Sequence, residues 1–183
     1  MLAKMLAEAF QDDALTRWIT PDDDRRATVL PAFFREHLDI SLRYLGVYTN
    51  ADRDAALLFL PPGAWEETET RAEELARAFT EILGPDAEAM ATISGLQTIH
   101  HPTGRPHYYV AFAGVSPSNQ RTGAMTALFD ALIARADAER VAVYLEASSS
   151  GGAAVAERYG FHPVSTTIEI PDGPALRPMW REP

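Results

Sequence analysis

Residues 107–115, HYYVAFAGV, form a near-continuous apolar run that ends only at Ser116-Pro117-Ser118-Asn119. A strand that alternates polar and apolar side chains can turn one face to water, whereas one that is apolar on both faces must be covered on both. Such a strand belongs at the centre of a sheet, and the rest of the chain has to supply the covering layers. Directly after the break, Met125, Leu128, Leu132 and Ala136 recur at helical spacing. The order is therefore central strand, tight polar turn, helix. Val141–Ala147 reads as the next strand, Ser148–Gly152 as a small-residue turn, and Ala153–Tyr159 as a short helix ending at Gly160. Thr166–Ile170 and residues 178–181 are predicted as late strands.

The segment before the central strand is mainly helical. Leu2, Met5, Leu6, Ala9 and Phe10 mark one buried stripe, predicting a helix that runs on to Thr20-Pro21. Asp22-Asp23-Asp24 can cap a second helix carrying Val29, Leu30, Phe33, Phe34, Leu38 and Leu42, with Pro31 placed in its first turns. Leu45–Tyr48 and Ala55–Leu60 predict a hairpin closed firmly by Pro61-Pro62-Gly63. Two helices follow, over Trp65–Leu83 and from Pro85 to about Ile99, and His100–Pro106 reads as loop. No linker, repeat or low-complexity tract divides the chain, so residues 1–183 are expected to form a single domain of α/β class.

Composition excludes several kinds of chemistry. There is no cysteine, so disulfides, thiolate nucleophiles and cysteine-rich zinc sites are ruled out by inventory. The formal net charge of −10 argues against nucleic acid or anionic membrane as partner and suits a cationic amine, although an acidic surface also serves solubility. The apolar stripe of residues 1–10 is interrupted by Glu8 and followed by Asp12 and Asp13, unlike a secretory signal; a cytoplasmic protein is expected. His100, His101 and His107 cluster in sequence without a ligand-like spacing and are read as loop residues, with no metal site.

The informative stretch is Val115-Ser-Pro-Ser-Asn-Gln-Arg-Thr-Gly-Ala-Met125. A helix N-terminus offers four unpaired N–H groups and a partial positive charge, so it can hold a diphosphate without lysine, and Gly123 lets the backbone come close. A plain structural strand-to-helix connection would look the same. Here, however, Gln120-Arg121-Thr122-Gly123-Ala124-Met125 resembles the pyrophosphate signature of the GNAT N-acetyltransferases, Gln/Arg-x-x-Gly-x-Gly/Ala. PDDD at 21–24, LFLPPG at 58–63, HYYVAFAGVSP at 107–117, YLEAS at 144–148, ERYGF at 157–161 and MWREP at 179–183 extend the likeness, nearest to the puromycin N-acetyltransferase-like branch, over nearly the whole chain.

That resemblance implies a GNAT fold: a mixed, mostly antiparallel sheet, splayed at the acyl-CoA site and covered by helices on both faces. The family opens with a strand, whereas this chain starts almost on the first helix, so one strand is expected to be missing: either the start shown is internal to the natural gene product, or the sheet has an open edge, to be covered in a homodimer. The resemblance also implies acetyl-CoA as co-substrate and a small amine as acceptor. Backbone groups near Ala113 and Val115 would pair with pantetheine, and residues Gln120, Arg121, Thr122, Gly123, Ala124, Met125 and Thr126 would carry the diphosphate.

Two positions depart from the family pattern. Met125 stands where glycine or alanine closes the signature, and Ala156 stands where a tyrosine protonates the departing thiolate; Gly152 replaces a frequent asparagine. Tyr159, three residues on, either substitutes for that acid or packs under the Gly160-Phe161 turn. Glu146 is the carboxylate candidate for a base, a hydrogen-bonded structural role being the other reading. Of Tyr108 and Tyr109, which alternate faces, Tyr109 is favoured for the site. Trp18, Phe33, Phe34 and Trp65 either line an acceptor pocket or fill the core. The functional reading is an acyl-CoA-dependent N-acyltransferase; the alternatives are a GNAT-fold protein that binds acyl-CoA with little turnover and a fold that has lost the cofactor.

Overall fold

A computed structural model describes residues 1–183. Its N-terminal layer is helical: α1 (Leu2–Ala9), α2 (Ala14–Ile19) and α3 (Asp23–Arg43). The single helix predicted up to Thr20 is thus two. Asp13 explains the break, because its carboxylate accepts from the amides of Leu15 (2.9 Å) and Thr16 (3.4 Å) and starts a new helix there. Pro31 also differs from expectation, lying inside α3 and not in its first turns. It removes the bond to the Ala27 carbonyl, and Ala27 is exposed, so water can replace the lost donor. The fully buried Arg26 ties the layer together by donating to the carbonyls of Gln11, Thr20 and Pro21 and to the Asp23 carboxylate.

The chain then forms the hairpin of β1 (Val47–Thr49) and β2 (Ala55–Leu60), followed by α4 (Ala64–Glu69), α5 (Ala72–Leu83) and α6 (Ala87–His100). The helix predicted over 65–83 is broken at Thr70-Arg71, where the Thr70 hydroxyl donates to the Glu67 carbonyl. The remainder runs β3 (His107–Val115), α7 (Ala124–Glu139), β4 (Ala142–Ala147), α8 (Ser150–Arg158), β5 (His162–Pro163) and β6 (Arg177–Arg181). The expected Ser148–Gly152 turn is largely helix, since the Ser149 hydroxyl accepts from the Gly152 amide at 3.0 Å and caps α8. The strand expected over 166–170 reduces to one bridge, Ile168 to Leu176.

The six strands form one sheet in the order β1-β2-β3-β4-β6-β5, antiparallel throughout except for β3 beside β4. This is the mixed, mostly antiparallel sheet that the resemblance implies. Period-two alternation divides β2 between two cores: Ala56, Leu58 and Leu60 face the layer of α1, α3, α5 and α6, while Ala55, Leu57 and Phe59 face α7 and α8. Each fully buried aromatic or aliphatic side chain contributes about 1.5–3 kcal/mol, so both faces of this strand anchor the fold. No helix is long and apolar enough to cross a membrane.

Candidate functional site

The site begins where two parallel strands part. β3 pairs with β4 only from His107–Ala142 to Val110–Leu145. Beyond that point β3 stays with β2 as far as Val115–Ala55, and β4 stays with β6 as far as Ala147–Arg177. The gap between them leaves one edge of residues 111–115 without a strand partner. The Ser116 amide donates to Asp54 on the β2 side at 2.7 Å, and alternation then turns the backbone groups of Ala113 and Val115 toward the gap. Those are two of the residues expected to meet pantetheine.

A cavity of about 950 Å³ passes through this gap. Phe33, Phe79, Met90 and Ile93 line it from the α3/α5/α6 side, and Met125, Phe129, Leu145 and Ala156 line it from the α7/α8 side. The two groups belong to cores on opposite faces of the sheet, so the cavity crosses the sheet at the splay.

At the crossing sits Glu146, held by three donors. Its Oε2 accepts from Gln97 Nε2 (2.8 Å) and Tyr109 O–H (3.0 Å), and its Oε1 accepts from Tyr144 O–H (2.9 Å). Gln97 also donates to the Tyr109 oxygen at 3.1 Å. A carboxylate offers about four lone-pair sites, so one remains, on Oε1. Burial raises the Glu146 pKa above the usual carboxylate range, opposed by the hydrogen bonds from Gln97, Tyr144 and Tyr109. The same burial, reinforced by the neighbouring carboxylate, pushes the Tyr109 phenol well above its ordinary value and that of Tyr144 upward. Tyr108 faces the other way and donates to Glu139 at 2.5 Å.

Gln97 and Tyr144 are partners of Glu146 that the sequence reading missed. Tyr144 is two residues from Glu146 on the same strand face, a spacing that could have indicated it. Gln97 lies 49 residues away on a helix, and no local signal marks it.

On the other side of the splay, Gly123 opens α7 at φ 87° without a side-chain cap. A Cβ added there meets nothing within 4 Å, so the space over this turn is open. Residues 123–126 keep the free amides of a helix start. Gln120 and Arg121 are exposed, the latter in the left-handed region at φ 66°, and the Thr122 hydroxyl donates to the Asn119 carbonyl at 2.8 Å. Ala124 and Met125 are half-buried, Thr126 is exposed, and Met125 reaches the cavity wall. The donor set and the open approach fit a diphosphate.

Ala156 is buried and lines the cavity, with Gly152 close by. Tyr159 does not take its place: the ring stacks on Phe129 at 5.1 Å, and the hydroxyl turns to the Thr126 carbonyl at 3.5 Å, off the cavity wall. The offset of three residues along α8 points the two side chains differently. Of the aromatic candidates, Phe33 and Trp65 line the cavity, Phe34 is fully buried core, and Trp18 packs over Gly173.

The histidines correct the loop reading. His101 and His107 are buried, and Trp65 stacks on His101 at 3.9 Å. His107 Nδ1 faces the Arg105 carbonyl at 2.8 Å and must donate to it, so His107 Nε2 accepts from His101 Nε2–H at 3.0 Å. His101 Nδ1 is left without a partner, and burial lowers its pKa to about 3. No group of three or more histidine or carboxylate side chains is arranged to hold a metal ion.

The sequence matches no protein-family model. Three-dimensional likeness is extensive. The chain is similar to the solved structure of a histone acetyltransferase HPA2 and related acetyltransferase from Corynebacterium glutamicum, 27% identical, covering 100% of this chain and 89% of that one at a TM-score of 0.67. It is similar to arylalkylamine N-acetyltransferase 2 from Aedes aegypti, 13% identical over 98% and 92% of the two chains (TM-score 0.70), and to a Drosophila melanogaster polyamine N-acetyltransferase, 15% identical over 99% and 92% (TM-score 0.60). The fold is the GNAT fold, with the sheet splayed between β3 and β4 and the start of α7 beside the gap.

Proposed function

We propose that this chain, as one domain over residues 1–183, transfers an acyl group, acetyl in the first instance, from acyl-coenzyme A to the nitrogen of a small amine. The observation that carries the reading is the cavity that crosses the sheet at the β3–β4 splay, with an anion-receptive helix start on one side and Glu146 at the crossing. The ordered sequence motifs support a place near the puromycin N-acetyltransferase-like branch.

Acyl-CoA supplies an activated acyl carbon and a thiolate leaving group. The free amides of residues 123–126 would hold its diphosphate, and the turned-in backbone of Ala113 and Val115 would pair with pantetheine. Glu146 takes a proton from the entering ammonium through its remaining Oε1 lone pair, directly or through one water, and its raised pKa suits it to that role near neutral pH. The neutral amine then attacks the thioester carbon, the carbon–sulfur bond breaks, the nitrogen gives its surplus proton to water, and the departing thiolate takes one from water, since Ala156 carries none. Tyr109, Tyr144 and Gln97 hold the Glu146 carboxylate in place.

One observation favours a second reading, an acyl-CoA-binding protein with little turnover: the cavity wall at Ala156 is apolar, and the Tyr159 phenol is turned off it. A thiol-release assay with acetyl-CoA over a panel of small amines, with mass spectrometry of the product, separates the two. The N-acyltransferase reading expects amine-dependent thiol release and an N-acetylated product. Saturable acetyl-CoA binding without thiol release would leave the binding protein.

A further inference from the structure

The acceptor side of the cavity has a charge signature as well as a shape. Its charged lining residues are Asp13, Glu69 and Glu146, and neither lysine nor arginine contributes to the wall. Asp13 and Glu69 are half-buried and already bonded, Asp13 to the Leu15 and Thr16 amides and Glu69 to the Thr98 hydroxyl at 3.0 Å. Glu146 is the one of the three that stands at the splay, and a lone pair on its Oε1 remains free there.

Another part of the wall is built of rings. His37 lies 4.6 Å from Phe33, 4.9 Å from Phe79 and 4.7 Å from Phe112 between centroids, and all four line the cavity. They already pack on one another at aromatic contact distance, and the surface they leave to the cavity is one on which an aromatic ring can pack. His37 adds no positive charge, because burial lowers its pKa to about 3; the surface it keeps is open to the cavity. A carboxylate or phosphate on the acceptor would lose its hydration here and meet no cation.

We infer that the acceptor is an amine on an aromatic body that bears no carboxylate or phosphate, its nitrogen at Glu146 and its ring on the wall of Phe33, His37, Phe79 and Phe112. The inference rests on the acyl-transfer reading for the chemistry but on the walls alone for the selectivity.

Three probes isolate the terms: 2-phenylethylamine, phenylalanine, which adds only a carboxylate, and 1,4-diaminobutane, which has no ring and a second ammonium. Each is titrated calorimetrically into the protein, with and without coenzyme A, and assayed for thiol release from acetyl-CoA. Phenylethylamine should bind at least about 10-fold more tightly than either comparator, and where turnover occurs its kcat/KM should lead phenylalanine by about 100-fold or more, the scale set by an unpaired buried polar group. Phenylalanine or diaminobutane binding as well as phenylethylamine, or phenylethylamine failing to bind, would overturn the inference. Amine binding without acetyl-CoA binding would refute the acyl-transfer reading and leave this one standing. Phe79→Ala should narrow the phenylethylamine-to-diaminobutane ratio about 10-fold while coenzyme A binding is retained; Phe112→Leu serves if that variant does not fold. An unchanged ratio in a folded variant would contradict the ring wall.

Discussion

The most exposed consequence of the acceptor wall is an acid instability centred on His37. Its ring is enclosed by Phe33, Phe79 and Phe112, its Nε2 has no hydrogen-bond partner, and its pKa falls from 6.5 to about 3 through burial. The folded state thus keeps the imidazole neutral, while the unfolded chain protonates it below pH 6.5. The sign follows: the stability is present above the unfolded value and is lost as pH falls toward the folded one, at about 1.4 kcal/mol per pH unit. Between pH 7 and pH 5 this single group costs about 1.9 kcal/mol. His37→Phe removes the titration and the unpaired nitrogen together, so the variant should be about 1–3 kcal/mol more stable at pH 7 if the larger ring is accommodated, and its advantage should widen by about 2 kcal/mol at pH 5. Urea unfolding followed by tryptophan fluorescence at both pH values measures the difference. Carboxylates and the other histidines titrate alike in both proteins and cancel. Parallel stability curves, with an advantage that does not change between pH 7 and pH 5, would mean that His37 is solvated or charged in the folded state, and the argument from burial would fail.

If Glu146 is the base, kcat/KM should rise with pH through an apparent pKa above the ordinary carboxylate range, since its protonated form cannot accept, and Glu146→Gln should abolish that limb and lower the rate about 10²–10⁴-fold. A pH profile unchanged in the variant would assign Glu146 a structural role. Ala156→Tyr should place a phenol into the cavity and raise thiol release by about 10²–10⁴-fold with little change in acetyl-CoA affinity; no acceleration in single-turnover kinetics would mean that solvent already delivers the proton fast enough. Gly123→Ala should weaken coenzyme A binding at least about 10-fold, since its Cβ enters open space over the diphosphate turn, and its φ of 87° should cost about 1–2 kcal/mol of stability. Calorimetry and a thermal melt read the two effects separately, and unchanged affinity would move the diphosphate elsewhere.

The central strand was legible because apolar residues on both faces admit few alternatives, and the turn after it because Gly123 stands at a helix start. The register shows why two of its neighbours were legible as well: β2 and β4 are also apolar on both faces. The late strands were not, since pairing of Ile168 with Leu176 and of β5 with β6 depends on partners distant in the sequence and on little periodicity. Helix breaks at Asp13 and Thr70 each turned on one side chain whose bonds compete with continuous helix, and an apolar stripe does not record such competition. At the site, Glu146 and Tyr109 stood out as an ionisable group at a strand end and a ring on the right face. Their shared donor Gln97 comes from a helix whose packing against the sheet only the tertiary structure defines. The burial of His101 and His107 was missed for the same reason: Trp65, which stacks on His101, lies in α4, and Trp180, which packs against His107, lies in β6, both far away in sequence.

The central claim is that the β3–β4 splay and the start of α7 receive acyl-coenzyme A, and a calorimetric titration of acetyl-CoA into the wild-type protein tests it most directly. The account predicts saturable binding at one site per chain, weakened by Gly123→Ala. No binding at about 1 mM, the upper end of ordinary substrate KM values, or binding indifferent to Gly123, would contradict it.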